Sequence, residues 1–75
     1  MPLTKLGKGK KATIVELNAG RQGSHRLSSL GLRLGRHITK ISSFALRGPV
    51  TVKAGSTTIA LGHGMAEKVI VEFHA

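Results

Sequence analysis

The placement of glycine limits this chain more than any other feature. Ten glycines divide 75 residues into short stretches, and the stretches between them are rich in Val, Ile, Thr and Leu. A glycine inside a helix costs about 1 kcal/mol relative to alanine, whereas at a turn it frees the backbone. Short β-branched runs bounded by turn residues read as strands, so a small, mainly β domain is expected. The first run is ATIVEL at residues 12–17. Burying both Ile14 and Leu17 breaks strict alternation, which predicts a bulge or strong twist. NAGRQG at residues 18–23 reads as a loop.

Ser24 is then a candidate N-cap, and Leu27 and Leu30 fall on one helical face. Gly31 stands where a helix C′ residue turns left-handed. The pattern predicts a helix over residues 24–30, held by packing Leu27 and Leu30 onto the sheet because it is too short to persist alone. Leu32, Leu34 and Gly35 lead into a second strand over residues 36–43, with Ile38 and Ile41 as its apolar positions. Residues 44–48 form a turn that exposes Arg47. Pro49 starts a third strand, where no ladder amide is needed, and Val50 and Val52 share one face. Gly55 and Ser56 turn a tight hairpin into residues 57–61, where Ile59 and Leu61 share a face. Residues 62–67 make a short connection with room for one helical turn. Val69, Val71 and Phe73 alternate along the last strand, residues 69–73, and should face inward. Five strands and one short α-helix suggest a partly open small β-barrel in one domain, with residues 1–5 and 74–75 as loose termini.

Composition removes several functions. Cysteine is absent, which excludes disulfides, thiol nucleophiles and Cys-ligated metal. A secreted domain this small would ordinarily need such staples, so a cytoplasmic protein is expected. No apolar run approaches the ~20 residues of a membrane-spanning helix. Lys and Arg number 12 against three Glu and no Asp, giving a net charge of +9.

Three segments, RLSSLGLRLG at residues 26–35, GPVTVKAGSTTIAL at 48–61 and AEKVIVE at 66–72, carry a resemblance that spans nearly the whole chain. In order and spacing they resemble the FeoA family, small cytoplasmic proteins that accompany the bacterial ferrous-iron transporter FeoB. The resemblance implies an SH3-like barrel without chemistry of its own. It assigns Gly31, Gly35 and Gly55 to turns that determine the fold. The implied partner is the cytoplasmic part of a FeoB-type membrane GTPase, which would also bring this protein to the inner membrane. Three positions depart from the pattern. Leu34 and Ala45 stand where relatives commonly have proline, and Lys40 stands where they are often apolar.

The remaining residues support binding better than catalysis. Glu16, Glu67 and Glu72 offer no evident acid–base pair, and in so basic a chain they read as surface partners of Lys or Arg, so no enzymatic role is expected. His25, His37, His63 and His74 show no ligand spacing. His25 and His63 are the candidates for a metal, but a stable site needs three or four ligands, so neither a metal nor any other cofactor is expected. Gly7-Lys8-Gly9-Lys10-Lys11 lacks the spacing, the Ser/Thr and the following helix of a phosphate loop; it reads as a flexible basic lead-in. Arg26, Arg33 and Arg36 border the apolar Leu30 and Leu34, a basic rim around a small apolar centre that suits a modest protein interface, and the exposed Arg47 joins them as a candidate contact. Core packing competes for the leucines, above all Leu27, Leu30 and Leu32. Nucleic acid is the alternative partner. The two phenylalanines leave little for base stacking, but phosphate contacts need only Lys and Arg. The charge also permits peripheral contact with anionic membrane, and an open edge strand permits a weak homodimer.

Overall fold

The computed structural model describes residues 1–43 and 48–74 of the chain. A 3-10 turn at Leu3–Lys5 is followed by β1 (Lys11–Leu17), α1 (Gly20–Ser29), β2 (His37–Ser43), β3 (Val50–Ala54), β4 (Thr57–Leu61), α2 (His63–Glu67) and β5 (Val69–Phe73). The strands pair antiparallel in a single sheet of order β4-β3-β2-β1-β5. β4 and β5 are its two edges, so the expected partly open architecture is present. The inward face carries Ala12, Ile14, Ile38, Val50, Val52, Ala54, Ile59, Leu61, Val69 and Val71. Leu27 and Leu32 cover it from α1 and the loop beyond, and Ala66 from α2. Among the described residues no helix is long and apolar enough to cross a membrane.

The irregular spacing of β1 has the expected cause: its register with β5 shifts between Ile14 and Glu16. A second shift falls between Lys40 and Ser42 in β2, and Ile41, next to the inward-facing Lys40, is exposed. Lys40 takes the inward position, its side chain only 2% exposed. Its ammonium donates to Leu3 O at 3.3 Å and to Thr4 O at 3.0 Å. Burial pushes the Lys40 pKa down.

Several expectations need correction. The helix starts at Gly20, not Ser24, and no side chain caps its first turn. NAGRQG is therefore mostly helix. Gly23 is there for a close approach, because a Cβ on it would stand 2.6 Å from Ala19 Cβ. Phe73 is 43% exposed, although it stands opposite the fully buried Ala12. The first five residues are not loose. Leu3 is fully buried, Pro2 bridges Ile70, the Met1 ammonium donates to Val71 O at 2.9 Å and Val71 N–H donates to Met1 O at 2.7 Å. This short segment covers the outer edge of β5. At the other terminus, His74 N–H donates to Lys11 O at 3.0 Å. The basic lead-in is likewise pinned, with Gly9 N–H on Lys40 O at 2.7 Å.

Candidate functional site

α1 ends in a Schellman motif. Leu32 N–H donates to Leu27 O at 2.9 Å and Gly31 N–H to Ser28 O at 2.9 Å. Gly31 has φ +96°, the left-handed conformation this closure requires. The motif sends Leu27 and Leu32, both fully buried, into the core together. Leu30 sits between them in sequence but faces away, 44% exposed, and Leu34 is 64% exposed. Leu27 and Leu32 are thus core residues, whereas Leu30 and Leu34 are surface.

Leu30 forms one wall of a cleft of about 160 Å³ between the C-terminal half of α1 and the β4–α2 junction. Leu27, Ala60, Leu61 and Met65 supply its apolar lining, and Arg26 stands beside it. Arg33 is exposed past the helix end, with its Nε donating to Ser28 O at 3.3 Å. Arg36 belongs to a different surface. Its guanidinium lies over the β3–β4 hairpin, 2.7 Å from where a Cβ on Gly55 would stand. Gly35 and Gly55 take φ +84° and +63° at the two turns that place this arginine. Arg47 lies outside the described residues. The structure therefore brings Arg26 and Leu30 to one cleft, places Leu34 and Arg33 on the segment leaving it, and separates Arg36 from them.

The histidines are arranged differently from the sequence expectation. His25 is exposed on α1, and His63 Nε2 lies 3.3 Å from Glu67 Oε1, an ordinary i, i+4 pairing on α2. His37 and His74 meet instead. Their rings stand edge to face at 5.4 Å, and His37 Nδ1 and His74 Nε2 lie 3.2 and 2.6 Å from Thr13 Oγ1. Cross-strand register makes this pair: His37 is opposite Thr13, and His74 follows directly after Phe73, the partner of Ala12. Thirty-seven positions of sequence separation conceal it. Among the described residues no three His, Asp or Glu side chains converge as metal ligands would.

Comparison with known proteins places this geometry. The FeoA domain family matches residues 1–73. A Methanocaldococcus jannaschii protein assigned as an Fe(2+) transport protein A is 31% identical over 71 residues, 95% of this chain and 84% of that protein. A crystal structure of an iron uptake regulatory protein, FeoA, superposes with a TM-score of 0.91 at 31% identity, covering 99% of this chain and 97% of that one. FeoA of Stenotrophomonas maltophilia, solved with zinc and described as a prokaryotic SH3 domain protein, superposes with a TM-score of 0.76 at 28% identity over 96% of this chain and 89% of that one. A five-stranded open sheet, the Gly31 helix stop and a sequence match running almost end to end agree: this chain belongs to the FeoA family.

Proposed function

We propose that this protein is a non-enzymatic, cytoplasmic accessory factor for ferrous-iron uptake that acts by binding the cytoplasmic part of a FeoB-type GTPase transporter. The Stenotrophomonas relative is itself put forward as a ferrous-iron transport activating factor. The observation that carries the reading here is the cleft beside α1. An exposed Leu30, an apolar lining and Arg26 at its side make an apolar centre with a basic rim, the composition of a modest interface. A domain with these means alters a transporter only by binding one of its conformations more tightly than another.

The test is a binding assay against the transporter's purified cytoplasmic domain. Arg26→Glu and Leu30→Ala should each weaken binding at least about tenfold, the range of an interface residue near the centre of a contact. Arg33→Glu should weaken it less, because Arg33 sits beyond the cleft. If wild-type protein does not bind the domain, the function is wrong. If it binds and none of the three changes matters, the surface is wrong.

A further inference from the structure

The outward face of the sheet carries a cationic track that the adaptor reading leaves unused. Register sets Lys11 opposite Thr39, Thr39 opposite Lys53 and Lys53 opposite Thr58. Each lies next to an inward-facing residue, so all four project outward in one row. His74, bonded through its N–H to Lys11 O, extends the row at the β5 side. Cations therefore alternate with hydroxyls across the sheet, and Lys11 and Lys53 stand about 10 Å apart, two strand spacings. With His37, Ile38, Gly55 and His74 they line a shallow hollow of about 350 Å³ that has no Asp or Glu among its described lining residues. Arg36 overhangs its Gly55 end. Glu72, opposite Thr13, and Glu16, opposite Ile70, are acidic residues of this face and lie outside the hollow.

We propose that this face is a sequence-independent track for the phosphodiester backbone of a single nucleic-acid strand. The inference stands apart from the adaptor reading and uses a different surface. Three features select this occupant. Ammonium, guanidinium, imidazole and hydroxyl groups are the donors that phosphate oxygens take. The large apolar side chains that are exposed, such as Leu30, Leu34 and Phe73, line no part of the hollow. A protein interface would want an apolar centre and a membrane an apolar wedge, and this surface offers neither. A linear row of alternating donors also matches a chain-like polyanion. No Phe, Tyr or Trp is among its described lining residues, and the His37 and His74 rings stand edge to face on each other and against Thr13, so the track holds the backbone and does not distinguish bases.

The experiment is fluorescence anisotropy of a labelled oligothymidylate with the intact protein, from about 50 to 200 mM salt. The expected affinity is that of non-specific binding, about 10⁻⁴–10⁻⁶ M near physiological salt. Each phosphate contact on a single strand contributes about 0.7 to the slope of log K against log salt, so Lys11→Gln/Lys53→Gln should flatten it by about 1.4. Arg21→Gln/Lys68→Gln removes the same charge from the two helical segments and should leave the slope unchanged. All four positions are exposed, so thermal melting should show each variant folded. Equal slopes for the two double variants would reduce the binding to net charge and overturn the proposal. So would phosphatidylglycerol vesicles or polyglutamate binding as tightly as the oligonucleotide through Lys11 and Lys53.

Discussion

Lys40 offers the sharpest test of how this core is built. Its ammonium is buried under the N-terminal segment, hydrogen-bonded to Leu3 O and Thr4 O, and desolvation lowers its pKa from the ordinary 10.5. The sign of the pH effect follows. Between the lowered folded value and 10.5 the unfolded chain keeps the proton that the folded chain has shed, so stability rises with pH across that window. Below the window the burial cost is fully present, and above 10.5 it is gone. One proton sets the ceiling at about 1.4 kcal/mol per pH unit. Lys40→Met keeps most of the volume and removes the titration. Leu3 O retains Leu6 N–H at 3.1 Å, and half-buried Thr4 can turn to water. At pH 7 the variant should therefore lie within about 1 kcal/mol of wild type, lost hydrogen bonds offsetting the relieved desolvation. The assay is urea unfolding followed by far-ultraviolet circular dichroism at pH 7, 9 and 10, since the chain has neither Trp nor Tyr. The difference in stability, wild type minus variant, should grow with pH, because the other lysines are common to both. Parallel profiles up to pH 10 would refute a desolvated ammonium in the core.

Two further changes probe the frame around it. Gly31→Ala forces φ +96° on a residue with a Cβ and should cost about 1–2 kcal/mol, read as a lower urea midpoint with the m-value unchanged; an unshifted midpoint would mean the Schellman closure tolerates side chains. Leu3→Ala removes a fully buried side chain from a segment expected to be loose and should cost about 2–5 kcal/mol, a large share of the stability of so small a domain. A loss below about 0.5 kcal/mol would show that residues 1–5 only drape over β5.

The local pattern was legible wherever one residue type had one physical use. Gly31 after an apolar helical stripe, Gly55 in a two-residue hairpin and the Val50, Val52, Ile59, Leu61, Val69 and Val71 alternation identify a helix stop, a turn and a core face from composition and period alone. The missed features depend on partners distant in the chain. Ser24 has the chemistry of an N-cap, but the helix starts a turn earlier, at Gly20, where Ala19 comes close over Gly23. Lys40 stands at a position that the family resemblance marks as often apolar, but its acceptors, Leu3 O and Thr4 O, lie 37 and 36 residues away. Leu27, Leu30 and Leu32 are equivalent in sequence, and only the closure at Gly31 sends the first and third inward and leaves Leu30 on the surface.

The row His74–Lys11–Thr39–Lys53–Thr58 exists only through strand register. Periodicity states which residues share a face of one strand; it cannot state which strands lie side by side or how far each has slid. The amino-acid order therefore determined the class of fold, the turns and the inward set, since these rest on backbone freedom and apolar period within a few residues. The tertiary structure decided the buried lysine, the cleft beside α1 and the cationic face, since each is made by groups that become neighbours only when the sheet closes its ladder.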